Sequence, residues 1–147
     1  MSLNEEVDIL RNIPLFGNIE PSKLKLLAFT SQRLAFGQGD YLFKQGDHGD
    51  AAYIIVSGEA DVLVDGPNGE IKVAHFGKND IIGEIAILCD VPRTASVRAT
   101  TKLDTMAIRK DDFFKIVIEF PRIAVEIMRE LARRLEATTA RLRAKGG

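Results

Sequence analysis

Hydrophobic residues repeat at helical spacing over the first 30 residues of the chain. The apolar face of the first segment is formed by Leu3, Val7, Ile9, Leu10 and Ile13. Pro14 is expected to end this segment, because proline lacks the amide hydrogen that a helix interior needs. Pro21 suits the first turn of a second helix, with Glu20 as its candidate N-cap. The pattern therefore predicts two N-terminal helices.

From Phe36 onward the pattern changes to short apolar runs that are separated by glycines. The runs are rich in β-branched and aromatic residues and cover 41–43, 53–56, 62–64, 71–74, 95–101 and 103–108. The intervening stretch 65–69 has the composition of a hairpin loop. Short strands at this spacing predict an antiparallel sandwich or barrel over about residues 33–109.

Helical spacing returns near the C-terminus. Asp111 or Asp112 is a candidate N-cap for a helix that Pro121 interrupts. The last helix has small or apolar residues at alternating four- and three-residue steps: Ala124, Met128, Leu131, Leu135, Thr138 and Leu142. Both helices are expected within about residues 110–143. Two helices, a β barrel and two further helices predict an α+β fold, with residues 1–147 as a single domain.

The composition is that of an ordinary globular protein. Hydrophobic residues make up 46% and charged residues 28% of the 147 residues, and the formal net charge is −1. This balance argues against a protein that coats DNA or anionic membranes through bulk charge. Cys89 is the only cysteine, and His48 and His75 are the only histidines, so we expect neither a disulfide nor a zinc cluster. The sequence therefore predicts a cytoplasmic protein without a metal or cofactor.

One segment, 82–97, interrupts the strand pattern with a glycine, a short helix-like turn, a proline and an arginine. Backbone amides from Gly83 to Ala86 open the turn and can point at a phosphate. Arg93 can form paired, charge-assisted hydrogen bonds with the same anion, and Glu84 can accept from a sugar hydroxyl. The segment therefore predicts an anion site. The alternative is that Glu84 and Arg93 form an ordinary surface ion pair.

This segment resembles the phosphate-binding cassette of the cyclic nucleotide-binding domain family. The family reads Phe-Gly-Glu-(Leu/Ile/Met)-Ala-Leu, a variable stretch, and then Pro-Arg-(Ala/Thr/Ser)-Ala-(Thr/Ser). The residues that match are Gly83, Glu84, Ile85, Ala86, Pro92, Arg93, Thr94, Ala95 and Ser96. An upstream family run is matched by Gly46, Asp47, Gly49, Asp50, Tyr53, Ile55 and Gly58. The resemblance covers about residues 10–143, and Ile82 departs from it where phenylalanine is usual.

The resemblance implies an antiparallel β jelly-roll barrel with a short helix in the cassette, and it implies a role for each site residue. Arg93 would bind the cyclic phosphate, and Glu84 would accept from the ribose 2′-hydroxyl. The backbone of Gly83 and Ala86 would complete the cradle. The full ligand-binding set implied by the resemblance is Gly83, Glu84, Ile85, Ala86, Arg93, Thr94, Ala95 and Arg134.

Two members of this set concern the base of the nucleotide. Threonine at the position of Thr94 is frequent in family members that respond to cGMP, so both cAMP and cGMP remain open as ligands. In related channel domains an arginine of the last helix contacts the base, and Arg134 matches that position. The last helix would then act as a lid; the alternative is that it forms a homodimer seam.

The resemblance thus implies a non-enzymatic sensor that couples cyclic nucleotide occupancy to movement of its C-terminal helix. Its partner is the nucleotide, and no nucleic acid or membrane partner is expected within this chain. The alternative is the truncated sensor half of a DNA-binding transcription regulator like catabolite activator protein. A cupin-type metalloenzyme would need a histidine-rich metal set, which this sequence lacks.

Overall fold

The computed structural model describes residues 2–146. Its helices are α1 (Leu3–Arg11), α2 (Pro21–Thr30), α3 (Glu84–Cys89), α4 (Lys110–Glu119) and α5 (Arg122–Gly146). Its strands are β1 (Gln32–Phe36), β2 (Tyr41–Phe43), β3 (Ala51–Ser57), β4 (Ala60–Gly66), β5 (Gly69–Phe76), β6 (Ile81–Ile82), β7 (Ser96–Ala99) and β8 (Leu103–Arg109). The predicted order of helices, strands and helices is confirmed.

The helix termini differ from the predicted caps in two places. Glu20 occupies the N-cap position of α2, but its side chain makes no capping hydrogen bond. Neither Asp111 nor Asp112 caps α4, because Arg109 holds the N-cap position. Both aspartates lie in the first turn of α4 instead. There, their negative charges interact favourably with the positive end of the helix dipole and stabilise the helix.

The strands form two four-stranded antiparallel sheets, with the orders β1-β8-β3-β6 and β2-β7-β4-β5. The predicted hairpin is present, since Gly66 pairs with Gly69 across a two-residue turn. The jelly-roll prediction is confirmed, but the sheets are not closed into a barrel. A closed barrel needs an unbroken ring of strand pairing, whereas the edge strands β1, β6, β2 and β5 each pair on one side only.

Two of these strands were not predicted, and both are edge strands. β1 alternates between exposed and partly buried residues without a fully buried position, so its apolar signal is weak. β6 has only two residues, Ile81 and Ile82, which is too short for a periodic pattern. β6 nevertheless matters for the site, because it leads directly into Gly83 and α3.

Two hydrophobic clusters hold the helices and sheets together. The larger one joins all the long helices to the first sheet through residues such as Phe16, Leu24, Ile54, Met106 and Phe113. The smaller one, around Ile55, Val97 and Leu103, fills the space between the sheets. Among the α5 residues whose burial the structure describes, Ile123 and Ile127 are the members of the larger cluster, so the first turns of this helix anchor it to the domain.

Within residues 2–146, no helix has both the length and the apolar character needed to cross a membrane.

Candidate functional site

The candidate site is built around the turn from β6 into α3. Gly83 lies at the N-cap position of α3 with φ +83°, a left-handed conformation that favours glycine. A Cβ atom at this position would lie 2.3 Å from Nη1 of Arg93. The glycine is therefore needed both for the turn and for the close approach of the arginine.

Arg93 is buried, with only 5% of its surface exposed. Its Nη2 donates to the Ala51 carbonyl oxygen at 2.6 Å, and its Nη1 donates to the Gly83 carbonyl oxygen at 3.2 Å. Its Nε is buried without a hydrogen-bond partner. No carboxylate of the described residues forms an ion pair with this guanidinium, and burial lowers the pKa of Arg93. The site thus contains a desolvated cation whose hydrogen bonds go to main-chain carbonyls, while Asp50 and Asp47 oppose the lowering of its pKa through their negative charge.

The loop before β3 closes tightly around Arg93. The Arg93 amide donates to the Asp47 carbonyl oxygen, and the Gly46 amide donates to the Arg93 carbonyl oxygen, both at 2.8 Å. A Cβ at Gly49 would lie 2.3 Å from the Ala86 Cβ and 3.2 Å from the Arg93 Nε. Gly49 is therefore required for this loop to pass between α3 and the arginine.

A cavity of about 190 Å³ opens beside α3. It is lined by Phe43, Val62, Phe76, Ile81, Ile82, Gly83, Glu84, Ile85, Ala86, Pro92, Arg93, Thr94, Ala95 and Val97. Seven of the eight predicted site residues belong to this wall, and Arg134 does not. The wall is mainly apolar, with one buried cation and one carboxylate, which suits a ligand with an anionic group and a hydroxyl donor.

Arg134 reaches the site from α5 instead. Its Nη1 lies 3.6 Å from Oε1 of Glu84, and its Nε lies 3.8 Å from Oε1 of Glu130. The structure therefore joins the last helix to the cassette through a carboxylate that also lines the cavity. The predicted alternative of a Glu84–Arg93 surface pair is wrong, because Arg93 is buried against main-chain carbonyls and Glu84 pairs with Arg134.

The cavity wall includes apolar residues that sequence reasoning did not single out. Phe43 lies under the Arg93 guanidinium, and Val62 and Phe76 come from β4 and β5. In the sequence these residues look like ordinary strand residues. Alternation along a strand shows which residues share a face, but it does not show which face lines a ligand cavity.

A larger cavity of about 410 Å³ lies elsewhere, between the start of α2 and the junction of α4 with α5. Its charged side chains are Glu20, Lys23, Glu119, Arg122 and Glu126. This larger cavity is lined by no cassette residue and by no buried cation with an unpaired nitrogen. The smaller cavity has both, so it is the better candidate site.

The profile of the cyclic nucleotide-binding domain family matches residues 33–119 of this chain. The chain belongs to this family. The match runs from β1 to the end of α4 and includes the whole cassette, so this domain is a cyclic nucleotide-binding regulatory domain.

Relatives of the domain occur in two kinds of regulatory protein. The chain is 34% identical over 108 residues to a cAMP-dependent protein kinase regulatory subunit of Emericella nidulans, covering 74% of the chain and 26% of the subunit. It is 32% identical over 136 residues to a CRP-like cAMP-activated global transcriptional regulator of Mycobacterium tuberculosis, covering 92% of the chain and 61% of the regulator. The chain therefore spans less than two thirds of either relative.

A solved structure has the same fold as this domain. The crystal structure of the N-terminal domain of a transcriptional regulator from Streptomyces coelicolor superposes on this domain with a TM-score of 0.82 and 30% sequence identity. The superposition covers 92% of this chain and 95% of that one.

Proposed function

We propose that this domain binds cAMP, and cGMP as a second ligand, in the cavity beside α3. The observation that supports this most directly is the buried Arg93 guanidinium, which lacks an ion pair with any described carboxylate. A buried cation is costly unless an anion compensates it. A cyclic phosphate is such an anion, and the names of the two relatives given above include the words cAMP-dependent and cAMP-activated.

In this proposal each polar group of the site meets one part of the nucleotide. Arg93 pairs with the phosphate, and the backbone amides of Gly83 and Ala86 donate to the same group. Glu84 accepts from the ribose 2′-hydroxyl. The other predicted site residues of the wall, Ile85, Thr94 and Ala95, contact the sugar and base, and no bond of the nucleotide is broken.

Arg134 is the proposed contact to the base. Its planar guanidinium can stack on a purine or bond its edge, and it already lies next to Glu84 on the cavity rim. A nucleotide that contacts both Arg134 and Arg93 would favour the docked position of α5 over a loose one. Movement of α5 is therefore the proposed output of binding.

The test is calorimetric titration of the domain with cAMP and with cGMP, followed by recovery of the nucleotide. We expect saturable binding of intact nucleotide, and we expect Arg93→Ala to weaken it by about 30- to 1,000-fold, or about 2–4 kcal/mol. Because Arg93 is buried and holds two carbonyls, Arg93→Lys keeps the charge in case the alanine variant unfolds. Arg98→Ala is the matched control, since Arg98 lies on β7 outside the cavity wall.

Absence of binding by the folded wild-type domain, or equal affinity of Arg93→Ala and the control Arg98→Ala, would refute the proposal. Recovery of a hydrolysed nucleotide would refute the non-enzymatic part of it.

We propose in addition that α5 pairs with a second copy of the chain. Its exposed hydrophobic residues Met128, Leu131, Leu135 and Leu142 lie at coiled-coil steps, and Thr138 fills the remaining position of the repeat. Sedimentation velocity should show a dimer that Leu135→Lys dissociates, whereas Glu136→Lys, beside the stripe, leaves it intact. A wild-type monomer at tens of micromolar would exclude the dimer.

A second candidate function is that of a sensor domain in a cytoplasmic DNA-binding regulator. It is favoured by the close match in extent to the N-terminal domain of the Streptomyces regulator. The test is a mobility-shift assay with the product of the complete coding sequence, with and without cAMP. A complete product that binds no DNA under either condition would exclude this candidate.

A further inference from the structure

The Arg93 guanidinium rests on an aromatic ring. Its Cζ lies 3.9 Å from the centroid of the Phe43 ring and 5.9 Å from that of Tyr53. The two rings lie 6.0 Å apart at an interplanar angle of 33°. One face of the cation is therefore covered by Phe43, with Tyr53 as a more distant second ring.

This contact matters because the guanidinium has no charged hydrogen-bond acceptor among the described residues, and the carboxylates of Asp50 and Asp47 act on it only through their charge. Its hydrogen-bond acceptors are the carbonyl oxygens of Gly83 and Ala51, which are neutral dipoles. The negative face of an aromatic ring attracts a cation most strongly where water is excluded, and this guanidinium is buried. Phe43 thus supplies a substantial part of what holds Arg93 in place.

The local backbone directs the Phe43 ring to this position. β2 and β7 pair Tyr41 with Arg98, but the next pair is Phe43 with Val97, so the register shifts within the strand. Such an irregularity re-aims a side chain. Tyr41 instead contacts Arg98, Lys44 and Glu70, none of which lines the cavity. The two aromatic residues of β2 therefore contact different arginines, Tyr41 contacting Arg98 and Phe43 contacting Arg93.

We propose that Phe43 is a positioning residue of the phosphate site. Its ring holds the Arg93 guanidinium in the orientation in which it binds the phosphate. This inference rests on the proposed binding of a cyclic nucleotide. If Phe43 is replaced by an aliphatic residue, Arg93 samples other orientations, and the apparent affinity falls in proportion to the lost population of the competent one.

The experiment is titration of cAMP into Phe43→Leu, Phe43→Tyr and Tyr41→Leu variants. We expect Phe43→Leu to weaken binding about 3- to 30-fold, Phe43→Tyr to restore it to within about twofold of wild type, and Tyr41→Leu to leave it unchanged. In the Arg93→Gln background, Phe43→Leu should have a much smaller effect, because glutamine removes the cation that the ring holds.

A spectroscopic readout separates positioning from general packing. The Nε–H signal of Arg93 in the ¹H–¹⁵N spectrum should move in Phe43→Leu, since the ring current of Phe43 is removed, and it should stay near its original position in Phe43→Tyr. Thermal unfolding of each variant without nucleotide shows that the domain is folded.

The outcomes distinguish this inference from the proposed function. Failure of the wild type to bind cAMP defeats the proposed function. Binding by the wild type together with unchanged affinity in folded Phe43→Leu defeats only the role of Phe43. Equal losses of affinity in the Arg93 and Arg93→Gln backgrounds would show that Phe43 contacts the ligand directly, and they would overturn the positioning role.

Discussion

Replacement of Arg134 by alanine tests whether α5 is coupled to the nucleotide site. Arg134 forms the only ion pair that connects α5 with the cassette among the pairs of residues 2–146, through Oε1 of Glu84 at 3.6 Å. The variant removes this connection and leaves Arg93, which lines the cavity, unchanged. We therefore expect docking of α5 to weaken while phosphate recognition persists.

The size of the effect follows from the exposure of the pair. At this distance two unit charges attract by about 1 kcal/mol in water and by about 5 kcal/mol at an effective dielectric constant of about 20. The Arg134 side chain is 38% exposed and that of Glu84 is 20% exposed, so screening reduces the net contribution to about 0.5–1 kcal/mol. A base contact of similar strength predicts a loss of cAMP affinity of about two- to fivefold.

The assay is amide hydrogen exchange over residues 125–140, with and without saturating cAMP. In the wild type, nucleotide should slow exchange along this part of α5, and in Arg134→Ala the slowing should shrink by about two- to fivefold. Arg133→Ala is the matched control. Arg133 precedes Arg134, is 55% exposed, and pairs with Glu130 at 3.0 Å within α5.

Two results would refute this reasoning. If the wild type exchanges identically with and without cAMP although binding is saturated, α5 is not a lid. If Arg133→Ala blunts protection as strongly as Arg134→Ala, the effect reflects helix stability and not the contact with Glu84.

Two further predictions concern the base and the outer face of the second sheet. Thr94→Ala should weaken cGMP more than cAMP, by a few-fold to about tenfold, because only guanine offers a 2-amino donor to the hydroxyl; equal losses in calorimetry would assign Thr94 to the phosphate or to packing. His75 bonds to Asp61 at 2.7 Å and to Glu59 at 2.8 Å, and these two hydrogen bonds raise the pKa of His75. Its contribution to stability is therefore complete below the unfolded pKa of about 6.5 and is lost as pH rises through the folded value. Urea unfolding of His75→Gln should show destabilisation in the acidic range that vanishes above the folded pKa, and a pH-independent difference would contradict the assignment.

Local sequence was sufficient for the order of the helices and of six of the eight strands in residues 2–146, but not for the closure of the sheets. Glycine-separated runs such as 53–56 and 62–64 predicted β3 and β4 because strand formation and turn chemistry are local properties. The arrangement of β6 beside β3 depends on pairing between residues far apart in the chain. No local pattern reports whether edge strands meet, so the barrel prediction failed where the two sheets stay separate.

The site was predictable to a similar extent. The cassette motif identified Arg93 and Glu84 because they lie nine residues apart within one segment. The contact of Phe43 with Arg93 joins residues 50 positions apart and depends on the register shift in β2. Sequence periodicity assigns a residue to a face of a strand, but it does not identify the side chain that the face meets.

In the proposed binding mode, Glu84 connects the nucleotide cavity with α5. Its carboxylate lines the cavity, and one of its oxygens lies against Arg134 of α5. A ligand shifts a conformational equilibrium only as far as its affinities for the two states differ. A ribose hydroxyl on the other oxygen of Glu84 would leave the pair with Arg134 in place, so the base contact would add to docking. If the hydroxyl instead displaced Arg134, cAMP would release α5, and exchange over residues 125–140 would become faster on binding. The sign of the exchange change therefore reports which oxygen of Glu84 the nucleotide uses.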